Sequence, residues 1–220
     1  MDYQMLGAAD KVAVGVSGGK DSLTLLHILN DRRLFVPIKY DLLAVHIDLG
    51  YPRSYAKKLE KYFKKIKVPY HIEKVVALKK IDNKDTTCFW CSWNRRKALF
   101  EMAYRFGCNK VALGHHKDDI VETILLNLFF HGEISAMSPK QELFEGKITI
   151  IRPLAYVEEE MIVKFAKEAR FPDQRYTCPN SLTSNRTKIS KIIKELERVC
   201  PEIKTNIFRS IKRIKENYLL

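Results

Sequence analysis

The stretch that decides the fold is Val12–Ser22, which reads VAVGVSGGKDS and leads directly into the apolar segment LTLLHIL. A run of small apolar residues, then Ser-Gly-Gly, then leucines at helical spacing is typical of a buried strand, a tight turn and a helix start. Adjacent glycines allow backbone angles that point consecutive N–H groups into one concavity, at the positive end of the helix dipole. A phosphate binds well in such a turn. The alternative is an ordinary Gly-containing turn with solvated charges.

The turn also carries side chains that suit a nucleotide phosphate. The predicted phosphate-binding residues are Ser17, Gly18, Gly19, Lys20, Asp21 and Ser22. The two hydroxyls are donors, Lys20 supplies a cation, and the Asp21 carboxylate can hold a magnesium ion against phosphate oxygens.

Strand-like and helix-like segments alternate along the rest of the chain. The predicted strands are 11–16, 41–48, 70–76, 110–114 and 147–154, and the predicted helices are 21–30, 53–67, the segment after Cys91, the segment after Asp119, and 157–169. This alternation predicts an α/β fold, a doubly wound parallel sheet with right-handed crossovers. Residues 132–146 are expected to be a loop. We expect one domain at 1–170 and, packed on it at 171–220, a small C-terminal helical extension with basic helices at 187–199 and 201–218.

Composition narrows the class of protein. The 220 residues are 46% hydrophobic, enough for a substantial core. Neither a membrane-span-length apolar run nor a signal-peptide pattern is present, which predicts a cytoplasmic protein with no membrane partner. The net charge is +13, and residues 53–80 and 186–220 carry this excess while the remainder is near neutral. Two basic segments favour a polyanionic partner, although lysine-rich solvated helix faces would give the same pattern.

Two further groups of residues suggest chemistry. Cys88 and Cys91 form a C-x-x-C pair at a predicted helix start, where two thiolates can bind one metal centre; a redox pair or a chance pair is the alternative. Asp118 and Asp119 follow a strand in the run GHHKDD. Adjacent carboxylates are costly without a cation, which favours magnesium-ATP or an acid-base role, and either one could instead cap the following helix.

The SGGKDS turn resembles the pyrophosphate loop of the PP-loop ATP pyrophosphatases, which cleave ATP between the α and β phosphates and adenylate a substrate oxygen. Four further features, taken together, resemble the tRNA 2-thiocytidine synthetases, an iron-sulfur-dependent tRNA thiolation branch. They are the C-x-x-C pair followed by Arg95 and Arg96, the run LGHHKDD, the run IRPLAYVEE, and Cys178 eight residues before Arg186. The resemblance extends from about residue 10 to about residue 190.

The resemblance implies an ATP-dependent tRNA sulfurtransferase that adenylates the C2 oxygen of a base and replaces it with sulfur. The implied ligands of a [4Fe-4S] cluster are Cys88, Cys91 and Cys178. The implied catalytic residues are Lys20, Asp21, Asp118 and Asp119, and the implied nucleotide-binding residues beyond the loop are Val45, His46, Ile47, Gly114 and His115. The expected tRNA contacts are Lys57, Lys61, Lys64, Arg95, Arg96, Arg186 and Lys188. ATP, Mg²⁺ and the cluster are the implied cofactors.

Several alternatives remain open at this point. Three cysteines and a histidine would make a closed zinc site, so a zinc-stabilised RNA-binding module without catalysis is one. The run HHKDDIVET also resembles the tRNA lysidine synthetases, which lack the cysteine triad, and a small-molecule adenylating enzyme is a third reading. Cys108 and Cys200 are expected to be buried or turn thiols. The sequence does not identify the sulfur donor, and it leaves a homodimer open.

Overall fold

The computed structural model describes residues 3–50, 55–75, 88–172 and 185–218, with side chains from residue 90 onward in the third range. The strands are β1 Lys11–Gly15, β2 Asp41–Asp48, β3 Tyr70–Lys74, β4 Lys110–Ala112, β5 Lys140–Leu143 and β6 Ile148–Ile151. The helices are α1 Lys20–Arg32, α2 Ala56–Lys65, α3 Cys88–Arg105, α4 Lys117–His131, α5 Glu159–Glu168, α6 Asn185–Val199 and α7 Ile203–Ser210, followed by a 3-10 turn at Glu216–Tyr218.

The strands form one sheet in the order β3-β2-β1-β4-β6-β5. Neighbouring strands are parallel except β5, which pairs antiparallel with β6. The strand order reverses between β1 and β4, and ligands of open α/β sheets bind at the carboxyl ends of strands at such a switch point. The predicted doubly wound α/β fold is confirmed.

Alternate residues of the central strands face two different helical layers. Val12 and Val14 belong to the cluster that includes leucines of α1 and α2 and Ile162 of α5. Ala13, between them, belongs to the cluster formed with the apolar face of α3. Helices therefore cover both faces of the sheet, which explains why β1 and β2 are almost continuously apolar.

The C-terminal helices pack against α4. Val121 and Leu125 of α4 are buried with Ile189 and Ile193 of α6, and α7 packs on another stripe of α4 through Ile207 and Phe208. This packing joins residues far apart in sequence to the helix that starts at the HHKDD run.

Two element predictions were wrong. The expected loop at 132–146 contains β5, whose polar sequence KQEL is that of an exposed edge strand and so lacked an apolar signal. The expected helix at 201–218 ends at Ser210, because the described residues 212–218 belong to no apolar cluster that would stabilise a helix, and Ile214 is exposed. Within the described ranges, every helix is too short or too polar to cross a lipid bilayer.

Candidate active site at the carboxyl edge of the sheet

The loop after β1 forms an open concavity. Gly18 has φ +96°, a conformation that side chains disfavour, and Gly19 is the N-cap of α1 without a side-chain cap. The Gly19 N–H donates to Ser17 Oγ at 3.3 Å, and Ser22 Oγ donates to the Gly19 carbonyl at 3.0 Å. The hydroxyls of Ser17 and Ser22 lie 3.2 Å apart. The first N–H groups of a helix have no intrahelical acceptor, so an anion in this loop would receive them.

Gly114, two residues after β4, lies against this loop. A Cβ at Gly114 would be 2.9 Å from the carbonyl carbon of Asp21 and 3.0 Å from both the Asp21 oxygen and the Ser22 nitrogen. Real Cβ atoms do not approach backbone so closely, so glycine permits the two strand ends to meet. At the switch point between β1 and β4, the end of the phosphate loop therefore lies directly against the residues that follow β4.

Lys20 carries a positive charge at the mouth of the loop. Its Nζ lies 2.8 Å from Glu159 Oε1, in the first turn of α5, and 3.1 Å from Asp21 Oδ1. Burial alone would lower the pKa of Lys20, but the hydrogen bond to Glu159 and the Asp21 carboxylate raise it. All three groups are partly exposed, so an incoming phosphate can displace the carboxylates from the ammonium group.

His116 lies between carboxylates from two elements. Its Nε2 is 3.8 Å from Asp21 Oδ1 and 3.4 Å from Asp119 Oδ2. Burial would lower the pKa of His116, but the neighbouring aspartates raise it above its usual value. Asp21 Oδ1 is buried and accepts no well-aligned hydrogen bond. These two carboxylates, which face one imidazole ring, fit the oxygen ligands that Mg²⁺ prefers.

Asp118 has a different environment from Asp119. Its carboxylate is 2.8 Å from Lys204 Nζ of α7 and accepts the Glu159 N–H at 2.8 Å. Burial would raise the pKa of Asp118, but His116, Lys204 and the Glu159 N–H hold it well below its usual range. Asp118 therefore connects the starts of α4 and α5 to α7.

The predicted N-cap was wrong by two or three residues. His116 is the N-cap of α4, and Asp119, at the third helical position, accepts the His116 backbone N–H at 3.1 Å. This is the acidic half of a capping box, which stabilises a helix start from inside its first turn.

A profile described as the PP-loop domain matches residues 3–189. The chain belongs to the PP-loop family.

Within that family the chain is similar to the tRNA 2-thiocytidine-forming branch. It is 41% identical over 225 residues to the tRNA-cytidine(32) 2-sulfurtransferase of Geobacter sulfurreducens, covering 100% of this chain and 88% of the relative. It is 40% identical to the enzyme of the same description from Geotalea daltonii, with 100% and 89% covered.

Two solved structures place the fold among known ones. The U34-tRNA thiolase NcsA from Methanococcus maripaludis, described with its [4Fe-4S] cluster, has a TM-score of 0.79 and 26% identity, covering 96% of this chain and 73% of that one. The NH3-dependent NAD synthetase of Campylobacter jejuni has a TM-score of 0.51 at 16% identity, covering 95% and 84%, which is a likeness of fold.

The carboxyl end of β2 lies beside the loop of this PP-loop protein. His46 is buried, and its Nδ1 is 2.7 Å from the Val16 carbonyl. Burial lowers the pKa of His46, so the neutral ring supports the strand that enters the loop. Pairing with β1 stops at Val45, whereas β2 continues to Asp48. The predicted adenosine-binding residues 45–47 therefore lie at the point where the β1-facing edge of β2 loses its strand partner.

Arg152 was missed as a functional candidate in its own right. It is 6% exposed, its Nε donates to His115 Nδ1 at 3.3 Å, and its guanidinium also donates to the Ser138 carbonyl. Burial lowers the pKa of Arg152 to about 10 and that of His115 to about 4, so the arginine is paired with a neutral ring. In the described ranges no carboxylate lies within 4 Å of it. In the sequence, Arg152 stood out only as part of the run IRPLAYVEE, one of the features that resemble the thiolation family.

Of the three predicted cluster ligands, the structure describes the side chain of one. Cys91 is half-buried in the first turn of α3, while the Cys88 side chain and all of Cys178 lie outside the described residues. Trp90, next to Cys91, packs in the cluster that contains Ile47 and Leu49 at the carboxyl end of β2. The start of α3 thus lies at the same sheet edge as the phosphate loop. No group of three metal-binding side chains occurs among the residues with described positions.

The other two cysteines, Cys108 and Cys200, differ in burial. Cys108 is 3% exposed, with the pKa of its thiol raised by burial, and Cys200 is half-buried near Asn206. Both fit the expected buried or turn thiols.

The predicted RNA contacts occupy several surfaces. Lys57, Lys61 and Lys64 are exposed on α2, opposite its buried face, and Lys64 pairs with Glu60. Arg95 and Arg96 of α3 and Lys188 of α6 are also exposed. Arg186 instead pairs with Asp119 at 3.4 Å and Glu122 at 3.3 Å, so its guanidinium is held against α4.

Proposed function

We propose that this PP-loop protein is an ATP-dependent tRNA sulfurtransferase that converts a cytidine to 2-thiocytidine. The observation that carries the proposal is the meeting of the loop at 17–22 with Gly114 at the switch point, where His116 lies between Asp21 and Asp119. It occurs in a chain that matches a tRNA-cytidine(32) 2-sulfurtransferase along its whole length. The natural substrate position to test is therefore cytidine 32.

ATP binds with its β and γ phosphates in the loop. The N–H groups at the start of α1 and the Lys20 ammonium neutralise these phosphates, and Asp21 and Asp119 would hold a Mg²⁺ ion that supplies further positive charge. Residues 45–47 receive the adenosine. The base O2 then attacks the α phosphorus, the bond to the β phosphate breaks, and pyrophosphate leaves.

The second step replaces oxygen by sulfur. Sulfide attacks C2 of the adenylated base, a C–S bond forms, and the C–O bond breaks, so the oxygen departs with AMP. A [4Fe-4S] cluster held by three thiolates would supply the sulfide for this step. Cys88, Cys91 and Cys178 are the residues that would hold it.

The charges of four further residues suggest their roles toward the phosphates of ATP and tRNA. Neutral His115 and the buried cation Arg152 lie beside Asp119, where negative charge develops on the α phosphate during adenylation. Because no carboxylate of the described residues pairs with Arg152, its charge remains available to that phosphate. Arg95 and Arg96, which are exposed on α3, bind the tRNA backbone in this proposal.

The test uses protein purified without oxygen, a tRNA transcript with cytidine 32, ATP, Mg²⁺ and sulfide. We expect AMP and pyrophosphate in step with 2-thiocytidine, measured by nucleoside mass spectrometry. Cys91→Ala should lose the thiolated product and the brown colour but keep tRNA-dependent pyrophosphate release, because adenylation precedes sulfur transfer. Cys200→Ala is the matched control and should retain both products.

Three outcomes would contradict the proposal. Colourless protein that binds tRNA without forming AMP would indicate a zinc-stabilised RNA-binding module. AMP formation that tRNA does not stimulate would indicate adenylation of a small molecule. Full thiolation by Cys91→Ala would remove that cysteine from the reaction.

A further inference from the structure

A cavity of about 310 Å³ lies between α7 and the segment that precedes α5. We call it the α7 cavity. Its lining includes Lys117, Tyr156, Phe208, Arg209, Lys212 and Arg213. None of them is among the individually predicted tRNA contacts, although Arg209, Lys212 and Arg213 belong to the basic segment 186–220 for which the sequence favours a polyanionic partner.

One wall of the α7 cavity is aromatic and partly exposed. The rings of Tyr156 and Phe208 are 5.2 Å apart at 65°, and Tyr156 is 49% exposed. Tyr3 extends the wall, with its hydroxyl 3.0 Å from that of Tyr156. Exposed aromatic faces of this kind stack with nucleobases regardless of sequence.

The cavity is also lined by cations of α7 and of the residues just after it that have no carboxylate partner among the described residues. Arg209 and Arg213 are exposed, and neither lies within 4 Å of a carboxylate in the described part of the chain. Lys212 donates to the Tyr3 hydroxyl at 2.8 Å and lies 5.1 Å from the centre of that ring. Lys117, in contrast, is neutralised by Glu158 at 2.8 Å. The cavity therefore has three cations available for an anionic ligand.

The α7 cavity is adjacent to the phosphate loop. Lys117, the first residue of α4, donates to Glu158 and to Thr205 of α7. Glu159, the next residue, pairs with Lys20 of the loop. A polymer bound in the cavity would thus pass close to the site where ATP is activated.

We propose that the α7 cavity binds a single nucleotide of the tRNA substrate, which deepens the proposed function and rests on it. Its base stacks on Tyr156, and the phosphates on either side of it contact Arg209, Lys212 and Arg213. An acidic peptide would use the same cations but would gain little from the aromatic wall. The combination of stacking surface and cations favours RNA.

The test compares two triple variants with the same loss of charge. Arg209, Lys212 and Arg213 are changed to Gln in one, and Arg32, Lys39 and Arg105 in the other. The control residues are exposed at the ends of α1 and α3 and before β2, at the opposite edge of the sheet. Affinity for the unmodified tRNA transcript is measured by fluorescence anisotropy from low to high KCl.

We expect the cavity triple variant to bind tRNA about tenfold to a hundredfold more weakly and to reduce the slope of log K against log salt by about 2 to 3, while the control triple stays close to the parent. Tyr156→Leu should weaken binding about tenfold, and Tyr156→Phe should not. ATP-dependent pyrophosphate release at saturating tRNA should persist in the cavity triple variant.

Each other result overturns the inference. If the cavity triple variant binds tRNA with the affinity and salt slope of the parent, and the parent thiolates tRNA, the cavity does not bind the tRNA. The proposed function then still stands. An equal loss of binding to polyglutamate, with Tyr156→Leu unchanged, identifies a site for acidic peptides instead. A parent protein that neither binds nor thiolates tRNA removes the proposed function and the cavity's role together.

Discussion

Gly114 lies where the ends of β1 and β4 converge, and its lack of a side chain sets how closely the phosphate loop can approach. We predict that Gly114→Ala displaces Asp21 and Ser22, because the added Cβ would lie 2.9–3.0 Å from their backbone atoms. A displacement on the order of 1 Å at a reacting centre costs about a hundredfold in rate. Pyrophosphate release with ATP and the tRNA transcript measures this loss.

Gly7→Ala is the matched control. Its added Cβ would be 3.7 Å from Asp10 Oδ2, an ordinary contact, so activity should stay within about twofold of the parent. Parent-like activity in Gly114→Ala would mean that the loop and β4 do not need this close approach.

The site residues differ in how far the sequence could predict them. The loop at 17–22 and the aspartates at 118 and 119 stand in contiguous runs whose composition indicates their chemistry. The partners of these residues do not stand in such runs. In the sequence, Glu159 and Lys204 are each recognisable only as a charged residue on a predicted helix. Which carboxylate meets which cation depends on how α5 and α7 pack, and that is decided by the apolar faces of those helices.

Helix α7 is tied to the start of α4 by the ion pair between Lys204 and Asp118, with Lys204 also 2.7 Å from Glu197. We predict that Lys204→Met lowers the free energy of unfolding by about 2 kcal/mol at pH 7, because Asp118 stays buried and charged without its cation. Urea unfolding measures this, with Lys191→Met on the exposed face of α6 as the control, for which no change is expected.

The stability that Asp118 contributes changes with pH in a definite direction. The pKa of Asp118 is lower in the folded than in the unfolded protein, so its stabilising contribution is present above the unfolded value of about 3.9 and is lost as the pH falls below it. The difference between parent and Lys204→Met should therefore be largest at neutral pH and shrink below about pH 4. A difference that stays constant to pH 3 would mean that lost packing, not charge, destabilises the variant.

Elements with a strong apolar period were predicted within a few residues, and those without one were not. β1 and β2 are buried on both faces and were unmistakable, whereas β5 exposes Gln141 and Glu142 at the sheet edge. The start of α4 was misplaced because its cap is a histidine, His116, rather than one of the aspartates that follow. Edge position and tertiary pairing determine both features, and neither leaves a local signal.

Across the whole molecule, the C-terminal helices and the sheet are joined through α4, and this predicts one cooperative unit. The expected division at residue 170 stays a prediction, which the two tryptophans can test. Trp90 and Trp93 both lie on α3, and Trp90 packs against the sheet, whereas Ile193 of α6 is 3% exposed and packs against α4 in a separate apolar cluster.

We predict that Ile193→Ala destabilises the protein by about 2 to 4 kcal/mol, the usual cost of removing a buried isoleucine side chain. The urea midpoints measured by tryptophan fluorescence and by circular dichroism should fall together, since the fluorescence reports α3 and the ellipticity reports all helices. Ile192→Ala, at a neighbouring position that is 41% exposed, should change neither by more than about 0.5 kcal/mol. An unchanged fluorescence midpoint in Ile193→Ala would mean that α6 and α7 unfold independently of the sheet, and the ion pairs of Asp118 and Asp119 would then be separable from the ATP site.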